Sequence, residues 1–375
     1  LCPYDDGTWG SMTTRFADPV LRDAAAEARI ILIGLAAEQL KVAPELLEVK
    51  EGIVHVKNDP SKKISYAALT KGQKIIQTLK DKPARKKAKD FKVVGTSIVR
   101  LDAEAKVSGK AKYTGDIKLP GMVYASIVRP TVFGSKKISV DASKLADFEG
   151  AQLIEDGNLV AVVHSNSEIA YAAAQKVKVS WEAPELKVDQ DTIFKHLENT
   201  IKDSRVHQEG GNLATGKTLS ETIIEADYLD GYKAHASIET HCATCYFEGD
   251  KLTMWASTQS PFGTRKRIAK TLNMPLEKVH LKQILLGGGF GGKISDHQAV
   301  EAAKIATICR KPVQLIWSRR EEFMFVGFRP AALMKVRSGV DGNGKLKLWN
   351  FDIYCAGTRG TELFYDVEHN RTRMF

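Results

Sequence analysis

One glycine run, Gly287-Gly288-Gly289-Phe290-Gly291-Gly292, followed by Lys293, constrains this chain more than any other segment. The apolar run Ile284-Leu285-Leu286 leads into it, and a helical stretch from about Asp296 to Cys309 leads out. Strand, glycine loop and helix, in that order, turn backbone N–H groups and a helix N-terminus toward an anion or the polar edge of a cofactor. Glycine lacks Cβ, so the backbone reaches positive φ and a flat ligand can approach it closely. A phosphate cradle has no need of a ring, so Phe290 points to a loop that borders an organic cofactor or substrate. The spacing fails the Walker pattern. Gly287, Gly289 and Gly292 do fit the dinucleotide fingerprint, but where a ribose-binding acid is expected, about 20 residues on, the chain reads Lys311-Pro312-Val313. On this loop alone, a plain tight turn and a nucleotide-binding loop both stay open.

The flanks narrow the choice. Upstream lie His241-Cys242 and Trp255-Ala256-Ser257-Thr258-Gln259-Ser260-Pro261; downstream lie Lys311-Pro312-Val313 and Ser318-Arg319-Arg320-Glu321-Glu322. A second block runs Val107-Ser108-Gly109-Lys110-Ala111-Lys112-Tyr113-Thr114-Gly115-Asp116-Ile117, then Leu119-Pro120-Gly121-Met122. Over roughly residues 91 to 375 the chain resembles the molybdopterin-binding subunit of the xanthine dehydrogenase and aldehyde oxidase family of molybdenum hydroxylases. The second block is similar to the opening of that family's small α/β hammerhead domain. Ahead of it, Tyr4-Asp5-Asp6-Gly7-Thr8-Trp9-Gly10-Ser11-Met12-Thr13-Thr14-Arg15 precedes an alanine-rich helix from Pro19 to about Leu40. That order resembles the rearranged large subunits of isoquinoline 1-oxidoreductase and bacterial nicotinate dehydrogenase.

The resemblance implies a mixed α/β (α+β) chain, with a small hammerhead-like α/β domain inserted between parts of a molybdopterin-binding domain. Residues 1–80 would be the N-terminal part of the cofactor-binding region, packing with 220–375. Residues 81–93 would be a basic linker, 94–205 the hammerhead-like domain, and 206–375 the first half of the molybdopterin-binding domain.

Composition is compatible with this layout. A length of 375 residues predicts two or three domains, and 43% apolar residues predict a proper core. No apolar run approaches the ~18–20 residues of a membrane span; the longest, Ile30 to Ala37, is broken by Gly34. The chain opens on Leu1 without a secretory leader, close to a motif, and is expected to be a piece of a longer subunit. Its compartment, bacterial cytoplasm or periplasm, is left open. Much of the net charge of +10 sits between Lys80 and Lys92, where Pro83 and sparse aromatics favour a solvated linker over a nucleic-acid tail. The same surplus could steer an acidic electron carrier. Cys242 and Cys245 form a CxxC without a second half, and on a strand their thiols would face opposite ways. Cys2, Cys309 and Cys355 are isolated, so no four-cysteine set for an iron–sulfur cluster is present.

Periodicity and turn signals predict strands at 123–128, 159–164, 177–181, 222–228, 240–247, 251–255, 280–286, 313–317, 332–340 and 345–355. They predict helices at 168–175, 262–272 and 296–309. A β pair is expected over Glu48–Lys57, a helical turn at Pro44, a loop at Asp59-Pro60-Ser61, a helix from Tyr66, and a hairpin turn at Asp341-Gly342-Asn343-Gly344.

Candidate site residues follow from chemistry and resemblance together. Gln259 sits between a strand and Pro261; its amide can donate to a metal oxo group or accept from a metal-bound water, or simply bond its own turn. The resemblance places it beside the molybdenum ligands, with the backbone amides of Gly288, Gly289, Phe290 and Gly291 toward the cofactor and the Phe290 ring near the substrate. Ser11, Thr13 and Thr14 offer hydroxyls for a phosphate or pterin, or for local turn amides. No protein side chain is expected to ligate the metal directly. Ile294 stands where xanthine oxidases carry a substrate-binding Glu, which argues for a less polar heterocycle or an aldehyde. Glu239 and His241 flank Thr240 and would share a strand face, as a proton relay or a buried structural pair. The resemblance also implies a base Glu in a Gly-Glu motif, expected beyond Phe375, and an Arg-Gly-Phe-Gly motif, of which the nearest string is Arg359-Gly360-Thr361-Glu362.

The implied cofactor is molybdenum–molybdopterin in its cytosine dinucleotide form. The implied partners are a subunit with [2Fe–2S] clusters, a chain carrying the remainder of the molybdopterin domain, and a small-molecule substrate, with no nucleic acid. The competing reading is a catalytically silent scaffold that binds no metal.

Overall fold

A computed structural model describes residues 4–77, 79, 81, 83–355 and 360–375. Leu1, Cys2, Lys80 and Arg359, named above, lie outside the described residues. The chain forms two compact units, one of Thr8–Lys110 and one of Ala111–Phe375 together with the start of the chain. They part inside the range expected for the hammerhead-like domain.

In the first unit, a π-helical turn over Thr13–Ala17 runs into α1, Asp18–Leu40, which has Pro in its first turn and ends where Lys41 turns left-handed. A 3-10 turn at Pro44–Leu46 leads to β1 (Leu47–Lys50), β2 (Ile53–Val56) and β3 (Asp59–Ser65), a three-stranded sheet in that order. Val54 and Val56 alternate inward and join Ala36, Ala37 and Leu47 in a small core. Asp59-Pro60-Ser61 opens β3 instead of forming a loop: β3 is an edge strand, where proline's missing N–H costs no ladder bond. The helix α2 (Tyr66–Thr70) is capped by the Ser65 hydroxyl. In the basic stretch, residues 84–90 are exposed, yet they are tethered to α1. Arg85 pairs with Asp23 at 2.8 Å, and the Arg22 guanidinium lies 4.3 Å from the Phe91 ring centroid. A short α3 (Ala103–Val107) follows.

The second unit begins with β4 (Val123–Ile127), β5 (Lys136–Asp141), β6 (Gln152–Asp156), β7 (Leu159–His164), α4 (Ser167–Ala174) and β8 (Lys178–Glu182). Then come α5 (Ile193–Thr200), β9 (Arg205–Gly210), α6 (Leu213–Thr218) and β10 (Thr222–Asp230). Around the glycine loop lie β11 (Cys242–Glu248), β12 (Lys251–Ala256), α7 (Pro261–Thr271), β13 (Val279–Lys282), α8 (His297–Cys309), β14 (Val313–Ile316) and α9 (Arg319–Phe325). The chain closes on β15 (Ala332–Val340), β16 (Leu346–Tyr354) and β17 (His369–Met374).

A seven-stranded mixed sheet, ordered β13-β12-β11-β14-β4-β7-β6, carries the loop. Its centre joins β14 to β4 in parallel, Val313 opposite Val123, so the sheet spans the 205/206 limit drawn from the sequence. One side is covered by α8, whose Ala299, Ala302, Ala303, Ile305 and Ala306 are fully buried at helical spacing. Small side chains let that helix lie close to β11 and β14. A second sheet, β10-β15-β16-β17-β9, is antiparallel except for the β16–β17 pair. Its β15–β16 hairpin turns at 341–344, with Gly344 at φ 77° and its N–H donating to the Asp341 carbonyl. The fold class is mixed α/β, as expected. The strand expected over 280–286 stops at Lys282; Leu285 makes a single bridge to Tyr113, which frees the chain to enter the loop.

Candidate cofactor-binding site

The loop leaves the sheet beside the end of β12. There Ser257 and Thr258 are buried, and the Gln259 N–H donates to the Lys293 carbonyl at 2.8 Å. The Gln259 side-chain oxygen accepts from the N–H groups of Gly291 (3.0 Å) and Lys293 (3.2 Å). Gln259 therefore braces the loop through its side-chain oxygen. Gly291 is held close by this brace, and its own N–H is already engaged.

Three N–H groups behave differently. Those of Gly288, Gly289 and Phe290 make no hydrogen bond among the described residues. Gly288 (φ 96°), Phe290 (φ 57°) and Gly291 (φ 107°) are left-handed, whereas Gly289 is not. Such alternation is the backbone pattern from which anion-binding nests of N–H groups are made. A bulky residue in the left-handed region is uncommon and marks a functional constraint more often than chance. The Phe290 ring is 75% exposed, and Ile294 beyond it is 42% exposed. This donor set is neutral and tightly spaced, which fits the oxo-bearing edge of a molybdenum–molybdopterin group.

Buried charge supports the loop from behind. Lys293 is fully buried and its Nζ lies 2.6 Å from the Glu239 carboxylate, which also accepts the Gly287 N–H at 3.0 Å. The fully buried His241 instead meets Glu322, Nδ1 donating at 2.9 Å, and its ring stacks on Trp317 at 5.1 Å. Glu239 and His241 are thus not partners of one another. Residues 239–241 precede β11, so strand alternation does not set their faces. Burial opposes ionisation of Glu322, but the hydrogen bond and charge of His241, with Lys293 nearby, outweigh it and hold this carboxyl below the usual range. The His235 ring packs against Gly291 and Gly292, and its buried Nδ1 has no hydrogen-bond partner among the described residues. His280 is exposed and His297 opens α8.

Lys293, Glu322 and His235 were not singled out from the sequence as supports of the loop. The signal for Lys293 was its place directly after the glycines. Glu322 follows a Ser318/Glu321 capping box that pins α9 and turns the next side chain inward.

Ser11, Thr13 and Thr14 belong to the first unit, where they are exposed ahead of α1; Ser11 is left-handed at φ 52°, and no side chain caps that helix start. The CxxC thiols are both buried: Cys245 lies in the main core, and Cys242 lies near the Glu239 carboxylate at 3.8 Å. Burial, with the Glu239 charge adding, pushes the Cys242 thiol up to about 12, and burial raises Cys245 as well. Both are neutral at pH 8, because a raised thiol pKa leaves the unreactive protonated form. Neither should take up iodoacetamide at pH 8 until the protein is unfolded, as read by peptide mass spectrometry. Prompt labelling of either in the native protein would contradict this placement. Among the described residues no group of three or more His, Cys, Asp or Glu side chains is arranged to hold a metal ion. No helix among them is long and apolar enough to cross a membrane. A cavity of about 520 Å³ walled by Arg129, Trp181, Trp317 and Phe325 contains none of the loop residues.

A braced nest of neutral N–H donors at the edge of a mixed sheet is suited to an anionic or oxo-bearing group. Residues 193–363 match the family model of the molybdopterin cofactor-binding domain. A nicotinate dehydrogenase component from Pseudomonas putida is 26% identical over 359 residues, covering 93% of this chain and 30% of that protein. The nicotinate dehydrogenase large molybdopterin subunit of Eubacterium barkeri is 25% identical over 71% of each. Quinoline 2-oxidoreductase from Pseudomonas putida shares the fold at a TM-score of 0.62 and 18% identity, over 75% of this chain and 44% of that one. The chain is thus similar to molybdopterin-binding subunits of molybdenum-dependent dehydrogenases, in line with the resemblance carried by its glycine loop and flanks. It spans less than a third of the length of the Pseudomonas nicotinate dehydrogenase component.

Proposed function

We propose that this chain is the molybdopterin-binding component of a molybdenum hydroxylase that oxidises an N-heterocycle or an aldehyde. The observation that carries the reading is the set of uncommitted N–H groups at Gly288, Gly289 and Phe290, braced by Gln259. When bound, the molybdenum–molybdopterin group supplies a two-electron oxidation that takes its oxygen from water. The chain's own part is to hold that group by neutral donors and to offer the Gln259 amide without adding charge. The exposed Phe290 ring and Ile294 border the substrate side, and an apolar Ile294 selects a less polar ring or an aldehyde.

Ser11, Thr13 and Thr14 are our candidates for the pterin or the phosphate of a cytosine dinucleotide form. Residues 206–375 would supply the first half of the cofactor-binding domain and 94–205 the hammerhead-like part. The five cysteines of this sequence form no four-cysteine set for a cluster, so electrons are proposed to leave through [2Fe–2S] centres of a partner subunit.

Molybdenum content of the co-purified complex, by elemental mass spectrometry, tests the proposal; a metal-free complex would leave a silent scaffold. Gln259→Ala removes the acceptor that holds the Gly291 and Lys293 N–H groups, so it should lower molybdenum content and cut turnover by at least roughly 10²–10³, the effect of removing one donor worth about 2.7–4 kcal/mol at other oxyanion sites. Unchanged turnover in that variant would remove Gln259 from the site.

A further inference from the structure

We propose that Glu239 and Lys293 are positioning residues: a buried clasp that ties both ends of the glycine loop and so sets the span across which Gly288, Gly289 and Phe290 present their N–H groups. The inference rests on the cofactor reading of the loop given above. Four of the loop's N–H groups hold its shape. Gly287 donates to Glu239, Gly291 and Lys293 donate to Gln259, and Gly292 donates to the Gly289 carbonyl at 2.9 Å. The uncommitted stretch therefore lies between two anchored ends. One carboxylate oxygen, Glu239 Oε2, takes both the first N–H of the loop and the ammonium of its last residue. The Glu239 N–H also donates back to the Gly287 carbonyl at 3.2 Å.

Glycine requires more ordering than any other residue, so a glycine run keeps one shape only if its ends are fixed. The contact is close: a Cβ on Gly287 would lie 2.4 Å from the Glu239 Cβ, so glycine is needed there for the approach itself. A fully buried ammonium requires a counter-charge, and Glu239 provides it. The pair adds no net charge behind the loop, so the N–H dipoles alone define what it binds.

The test uses Glu239→Gln, Lys293→Met and the double variant in the complete complex. The readouts are thermal stability, molybdenum per protein, and amide hydrogen exchange of the 287–293 peptide in cofactor-free protein. Each single variant leaves one buried charge unpaired and should lose stability and molybdenum. The double variant leaves none and should regain stability, yet its loop should exchange faster than wild type and its molybdenum affinity stay roughly 10–100-fold down, as for other groups that orient a metal site. A double variant with wild-type exchange and wild-type molybdenum would reduce the pair to a structural contact and overturn the proposal. Single variants indistinguishable from wild type would overturn it too. A wild-type complex without molybdenum would sink the function proposed above; loop exchange that still quickens in the double variant would then uphold the clasp.

Discussion

Gly289→Val is expected to yield a folded complex with little or no molybdenum and no turnover. A Cβ at Gly289 would lie 2.5 Å from Gln259 Oε1 and 2.7 Å from its Cδ, and the two methyl groups of valine extend further. Gln259 is not a flexible end that can swing aside freely, because the same oxygen holds the N–H groups of Gly291 and Lys293. Either the brace breaks or the loop shifts, and each displaces the donors at 288–290. The cause differs from what the sequence alone predicts. Positive φ would have been the natural objection to valine, but the left-handed positions are Gly288, Phe290 and Gly291, and Gly289 is excluded by space. Molybdenum per protein by elemental mass spectrometry, with circular dichroism as a check on folding, decides the matter. Wild-type molybdenum in the Gly289→Val protein would show that the loop does not line the cofactor.

The second large effect concerns stability. Glu322→Ala should destabilise the protein by about 3–5 kcal/mol, because it strips the partner from a histidine that is fully buried. For a unit of this size that corresponds to a fall in Tm of roughly 6–20 °C. Glu322 accepts both the His241 backbone N–H at 2.9 Å and its ring Nδ1–H, so one truncation orphans two donors.

The loss should depend on pH, with a sign fixed by linkage. The Glu322 carboxyl is held below its ordinary value in the folded state, so its contribution is complete above the unfolded value of about 4.3. It is lost as pH falls through the lower folded value. Urea unfolding at pH 7 and at successively lower pH should therefore show wild type approaching the variant as acid is added. A stability gap that stays constant from pH 7 down to the acid limit would refute the role of the ionised Glu322 as acceptor for His241.

Much of the local structure was legible in the sequence because its causes are local. Alanine spacing in 297–309 sets an α-helix with one smooth face, the unbroken apolar run 159–163 sets a strand buried on both faces, and Asp-Gly-Asn-Gly at 341–344 sets a hairpin turn. Strands such as β5, β6, β9 and β17 were not expected, because each is short or polar and becomes a strand only by pairing with a neighbour already in place.

The chain's own order of residues also pointed to molybdopterin-binding proteins, through the glycine run and its flanks, and it brought Gln259 and the loop forward together. What only the tertiary structure decided is how that site is held. Glu239 and His241 sit two residues apart, yet one turns to Lys293 and the other to Glu322, because these partners come from elements 54 and 81 positions away. The choice between a proton relay and two separate pairs rests on which groups meet once the sheet has closed. No spacing along the chain encodes it, since the cost of burying a charge is relieved only by a partner that folding delivers.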